Sequence, residues 1–193
     1  MSTFIIAGLG NPGPTYQWTR HNAGFLFLDR LADGENAVIT RKSFSGLAGE
    51  WNHAGHKLIL LKPQTFMNLS GKSVMQALQF YKLPLSQLIV VHDELDLPFG
   101  AVRFKQGGGH GGHNGLRSIM EQLGRNDFIR LRIGIGKSPY GDTTGHVLGT
   151  IPPDQMEQLP RVLDGGIGML KMMLNEGIPK AMSLNNNKNF LEG

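Results

Sequence analysis

Apolar and polar positions alternate along this chain in a pattern that lays strands and helices end to end. Phe4-Ile5-Ile6-Ala7 is a short apolar run closed by Gly8, as expected of a buried strand, and the Gly- and Pro-rich stretch from Gly8 to Arg20 reads as a loop. A helix is expected from about His21-Asn22, with Phe25, Leu28 and Ala32 on one face. Ala37-Val38-Ile39 suggests a short strand, and Gly49–His53 with Lys57–Lys62 suggests a hairpin turning at Ala54-Gly55-His56 and ended by Pro63. Asn68 or Ser70 can cap a helix running to Tyr81 with Val74, Leu78 and Tyr81 inward. Leu88 to His92 is an apolar, β-branched strand, and a turn at Leu97-Pro98-Phe99-Gly100 leads to a strand from Ala101 to Lys105.

The run Gly107-Gly108-Gly109-His110-Gly111-Gly112 cannot be regular structure. Asn114 can cap the helix after it, with Leu116, Ile119, Met120 and Leu123 at helical spacing and Gly124 as its stop. Phe128 to Ile135 alternates as a strand. Asp154 and Glu157 have capping-box spacing, but Pro160 should interrupt a helix begun there, so a short turn followed by a helix from Pro160 to Glu176 is expected, striped by Leu163, Ile167, Leu170 and Leu174. The polar segment from Asn185 to Asn189 should fray. This alternation predicts an α/β sheet covered by helices, with residues 1–184 as one catalytic domain and 185–193 as a flexible tail.

Composition narrows the chemistry. The 193 residues include no cysteine, which removes disulfides, thiolate metal sites and a cysteine nucleophile together. No apolar run approaches the ~20 residues of a membrane helix, and the N-terminus lacks a signal-peptide pattern, so the cytoplasm is the expected location. The net charge is only +4, but Arg103, Lys105, Arg117, Arg125, Arg130, Arg132 and Lys137 lie within a stretch holding only Glu121 and Asp127 as acids. Such clustering suits either a solvated basic face or a polyanion-binding one.

Gly8-Leu9-Gly10-Asn11-Pro12-Gly13 matches the dinucleotide-binding glycine pattern after a strand. That reading needs a helix to start at the glycines, and Pro14 disfavours it by driving the residue before it out of helical conformation. No cofactor is therefore expected. Three polar clusters remain: Asn11 with Tyr16 and His21; His92-Asp93-Glu94-Leu95-Asp96; and His110 to Asn114. They follow strands ending near Gly8, His92 and Lys105, so they can meet at one sheet edge, where open α/β sheets bind ligands.

Imidazole can take a proton from water at neutral pH, and a carboxylate on its other nitrogen would orient it, which makes His21 and Asp93 a candidate base and partner. They could equally start a helix and cap a turn. Asn11, Asn68 and Asn114 carry amide donors suited to an oxyanion, although the last two also suit helix caps. His110 and His113 with the acidic cluster invite a metal reading, but their spacing matches no closed zinc pattern, and no metal is expected. Phe66 could stack on a base or belong to the core.

Taken together, Gly8–Gly13, Tyr16, Thr19–Gly24, Thr65–Gly71, His92–Asp96, Gly107–Gly115 and Arg130–Gly136 resemble, in order and spacing, the bacterial peptidyl-tRNA hydrolase family. The resemblance spans nearly the whole chain; Asp33–Leu47 and the C-terminal tail carry no signature. It implies a single-domain twisted mixed sheet surrounded by helices and a monomeric, metal-independent esterase acting on peptidyl-tRNA. By the same resemblance His21 is the general base, Asp93 keeps it basic and oriented, and Asn11 separates a blocked amino group from a free one. Tyr16, Phe66, Asn68 and Asn114 would contact the peptidyl end or the tRNA terminus, and Arg103, Lys105 and Arg132 its phosphates.

Overall fold

The computed structural model describes residues 2–192. Its strands are β1 (Thr3–Gly8), β2 (Arg41–Ser43), β3 (Gly46–His53), β4 (His56–Pro63), β5 (Leu88–Glu94), β6 (Val102–Gln106) and β7 (Ile129–Gly134). They form one seven-stranded sheet in the order β2-β3-β4-β1-β5-β7-β6. Neighbours from β4 to β7 run parallel, while the β2-β3-β4 meander and the β6–β7 pair are antiparallel, so the sheet is mixed.

The helices are α1 (Ala23–Gly34), α2 (Ser70–Tyr81), α3 (Asn114–Leu123), α4 (Thr143–Val147), α5 (Pro153–Glu176) and α6 (Ile178–Asn185). Parity along the central strands explains their continuous apolar runs. Ile6, Leu58, Leu60, Ile89 and Val91 pack under α1 and α5, and Ile5, Ala7, Ile59, Leu61, Leu88 and Val90 pack under α2 and α3. Strands covered on both faces need no polar alternation. Gly24 lets α1 approach the sheet, since a Cβ there would lie 2.4 Å from both Leu9 N and Val91 O.

The last two strands are covered differently. Val102, Phe104, Ile129, Leu131 and Ile133 join the core under α5 and α6. The alternate positions put Arg103 opposite Arg132 and Lys105 opposite Arg130 on the other face. Like charges directly opposite one another destabilise a sheet. Part of this repulsion is offset within the protein, because Arg130 is buried against backbone carbonyls and Arg132 lies 3.8 Å from a Glu94 oxygen.

Several expectations change. Ala37–Ile39 pairs with no strand; Ile39 is buried without pairing, and strand structure begins at Arg41. Neither Asn68 nor Ser70 caps α2, because a 3₁₀ turn over Met67–Leu69 feeds straight into it. Asn114 is the first residue of α3, and the His113 ring is its cap. α5 runs through Pro160 without a break. Proline removes one helical hydrogen bond, and burial of Leu159, Val162, Leu163 and Leu170 on either side offsets that loss.

The polar tail is also tied down, contrary to the expected fraying. Asn186 accepts from Phe104 N and donates to Phe104 O, while Phe190 N donates to Gly100 O. A side-chain amide thus pairs with the outward N–H and carbonyl of Phe104 on the edge strand β6, and Phe190 packs against the core. α4 and α6 were not legible: the first is five residues with nothing buried, and the second begins immediately after the glycine that ends α5.

Candidate active site

The carboxyl ends of β1, β4, β5 and β7 share one edge, and a cleft of about 740 Å³ opens there. Nine of the ten expected site residues line it: Asn11, Tyr16, His21, Phe66, Asn68, Asp93, Lys105, Asn114 and Arg132. Arg103 lies outside the lining, beside Arg132 on the cationic face. One route to the cleft differs from expectation. Because β6 is antiparallel, the glycine run starts at the far end of the sheet and must travel back to deliver His113. Gly107, Gly108, Gly111 and Gly112 adopt positive φ along that path, and the buried Arg130 guanidinium holds it by donating to the carbonyls of Gly108 and Gly109.

Asp93 is the hub of the site. One carboxylate oxygen bonds His21 Nδ1 at 2.8 Å and the other bonds His113 Nε2 at 2.8 Å. Bonding assigns the protons. His113 Nδ1 accepts from the backbone N–H of Gly115 and Leu116, so it is bare, and Nε2 carries the hydrogen given to Asp93. His21 likewise donates from Nδ1, which leaves its Nε2 as a lone-pair acceptor. Burial alone would lower the His21 pKa; the charge of Asp93 and its hydrogen bond outweigh that, and the net shift is upward. Burial works to raise the Asp93 pKa, but the two histidines hold it far below the usual carboxylate range.

His92 sits beneath this pair. Its Nδ1 donates to the Asp93 carbonyl, its buried Nε2 has no partner among the described residues, and burial, then the neighbouring His113, push its pKa down to about 3. It is a neutral packing element at physiological pH. Asn11 is fixed from two sides. Its backbone N–H donates to Asn22 Oδ1 at 2.9 Å, Asn22 Nδ2 donates to its carbonyl at 3.0 Å, and its own Oδ1 accepts from Met67 N at 2.7 Å. The Asn11 Nδ2 donor makes no bond to the described residues. Phe66 is 58% exposed, which excludes the core alternative.

Asn22 was not singled out as a member of this site, and His113 was named only within the His110–Asn114 cluster and the metal reading that was set aside. The signal for His113 was present in its place between a glycine run and a helix, but only the fold brings it to Asp93. Nothing in spacing marked Asn22 as the clamp on Asn11. His21, Asp93 and His113 offer ligand atoms within 4.8 Å of one another, so a cation could be held there once both bridging protons were removed. Of the histidines and acids whose grouping invited a metal reading, His113 does reach Asp93, whereas His110 Nδ1 accepts from Gly112 N within its own loop.

A mixed α/β sheet with a carboxylate-bridged histidine pair in a cleft at its carboxyl edge, beside a cationic strand face, defines the class by fold and site. A family model described as peptidyl-tRNA hydrolase matches residues 5–192. The peptidyl-tRNA hydrolase of Pelobacter propionicus is 78% identical over 192 residues, and that of Trichlorobacter lovleyi 68% identical over 193, each alignment covering 100% of both chains. The crystal structure of peptidyl-tRNA hydrolase from Acinetobacter baumannii superposes with a TM-score of 0.90 at 40% identity, over 97% of this chain and 96% of that one. The chain belongs to the peptidyl-tRNA hydrolase family.

Proposed function

We propose that this protein hydrolyses the ester joining a peptide, or an N-blocked aminoacyl group, to tRNA, with His21 as general base. The observation that carries the reading is the Asp93 bridge, which leaves His21 Nε2 bare in the cleft. In the proposed step Nε2 takes a proton from water, and the water oxygen bonds to the ester carbonyl carbon. Asn68 and Asn114 amides are the candidate donors to the resulting oxyanion. Collapse breaks the bond to the ribose oxygen, which receives the proton back from Nε2. An activated ester needs no covalent enzyme intermediate in this scheme.

The free Nδ2 donor of Asn11 suits a peptide carbonyl and disfavours a charged ammonium, which explains a preference for blocked substrates. Tyr16 and Phe66 supply aromatic surface to the peptidyl or terminal-nucleotide end. Lys105 and Arg132, with Arg103 beyond them, face the phosphates. One chain supplies every group named, so the proposed working unit is a monomer acting where tRNA is, in the cytoplasm. No helix among the described residues is long and apolar enough to cross a membrane.

Acyl release from matched N-acetyl-aminoacyl-tRNA and free aminoacyl-tRNA, with chelator present, tests this reading. Rapid release from the blocked substrate alone is expected. His21→Ala should lower it by about 10²- to 10⁴-fold without unfolding the protein. Tight tRNA binding by folded wild-type protein with no release, unrestored by added metal, would sink the hydrolase reading.

A further inference from the structure

One contact outside the cleft joins its two sides. After β7 the chain leaves at Gly136 and returns at Thr150, and this excursion contributes Thr143, Thr144, Val147 and Leu148 to the cleft wall. The wall has little packing of its own, because α4 is one short helix with no buried residue. Its return is stitched to the chain just before the base: Thr19 and Thr150 form an antiparallel bridge, Ile151 N donates to Trp18 O, and Arg20 N donates to Gly149 O at 3.1 Å.

The Arg20 side chain adds a link to α4 itself. Its Nη1 donates to the His146 carbonyl at 3.0 Å, in the last turn of α4, on an oxygen that also accepts from Gly149 N at 3.1 Å. His146 Nε2 donates in turn to Gly136 O at 2.9 Å, at the start of the excursion. The fit is close: a Cβ on Gly149 would lie 2.7 Å from Arg20 Nη1. Arg20 is the residue before His21, yet its side chain makes no bond to the His21–Asp93–His113 group.

We propose that Arg20 is a positioning residue that ties the 143–149 wall of the cleft to the turn carrying His21, so that wall and base hold one relative placement for substrate. The kinetic consequence rests on the peptidyl-tRNA reading; the structural one does not. Loss of the guanidinium frees α4 to open locally, which weakens ground-state and transition-state binding alike and leaves the basicity of His21 untouched.

Arg20→Ala and Arg20→Lys, assayed on N-acetyl-aminoacyl-tRNA and by hydrogen exchange, decide it. Arg20→Ala should raise KM about tenfold, change kcat by less than about threefold, and leave the pH–rate midpoint in place. Exchange should quicken at amides 144–149 and stay unchanged in β5 and α1, with Arg20→Lys recovering part of both effects. Gly149→Ala, which crowds the guanidinium while retaining it, should reproduce the same local exchange. Unchanged exchange at 144–149 in Arg20→Ala, a fall in kcat with a moved pH midpoint, or faster exchange throughout the protein would each overturn the inference. If wild-type protein leaves the substrate intact, the functional reading fails and takes the substrate role of Arg20 with it; an active wild type with an indifferent Arg20→Ala overturns the inference alone.

Discussion

Asp93 accepts from two imidazoles at once, and the charge it keeps while buried makes His21 more basic than a free imidazole. The raised pKa sets a sign. The base works when unprotonated, so kcat/KM should climb with pH through a midpoint above the usual ~6.5. Asp93→Asn removes the charge, which should cut kcat/KM by about 10²- to 10⁴-fold and move the acidic limb of the pH–rate profile to lower pH. A limb that stays put would mean that another group titrates. Asn22 is a second test at this scale. Asn22→Ala orphans the Asn11 N–H and carbonyl in a buried site, so it should cost about 1–3 kcal/mol of stability in denaturant titration. It should also narrow the preference for blocked over free aminoacyl-tRNA. His21 and Asp93 could be paired from sequence because their residue types need each other. His113 could not, because its role depends on a tautomer set by two backbone amides of α3.

The elements divide by what their signals report. The hairpin, α2, α3 and the parallel strands were legible because periodicity records which face is buried, and those faces are buried by the sheet's own helices. Strand direction leaves no such trace. β6 reads the same in either sense, and its antiparallel course decides that the glycine run must cross back to the cleft. Caps were misread for a related reason: Asn114 has the usual chemistry for a cap, but the neighbouring His113 ring does the capping while serving Asp93. Pro160 was read as a break because its local cost is certain while the burial around it is visible only in the fold. Pro160→Ala should therefore leave α5 unchanged in shape and raise stability by about 1–2 kcal/mol, measured by urea unfolding. A loss of stability would show that Pro160 is favoured where it stands.

At the scale of the whole molecule, the sheet sorts its charges. One face of β6 and β7 is apolar and covered, and the other carries Arg103, Lys105, Arg130 and Arg132. The clustered cations were evident in the sequence, but their gathering on one face was not, because it depends on the cross-strand register of β6 and β7. Replacing Arg103, Lys105 and Arg132 together with Gln should weaken tRNA binding and reduce the slope of log affinity against log salt by about 2–3. An unchanged slope would place the phosphates elsewhere. The buried His92 makes stability itself depend on pH. The unfolded chain takes up its proton near ~6.5, whereas the folded protein refuses it down to about 3. The folded state therefore loses stability as pH falls from neutrality toward 3, on the order of 2 kcal/mol by pH 4.5. His92→Gln should flatten that part of the pH–stability curve, and an equally steep curve would assign it to other groups.

The amide of Asn186, which pairs with Phe104 on the open edge of β6, gives the order of synthesis a structural meaning. Every strand is translated before it, yet Phe104 on the edge strand β6 lacks the partner for its N–H and carbonyl until Asn186 arrives. A nascent chain halted short of that residue would carry a finished cleft beside an open strand, able to pair with a neighbouring chain. If this protein frees tRNA from stranded peptides, its own stranded copies would be among the aggregation-prone products of stalled translation.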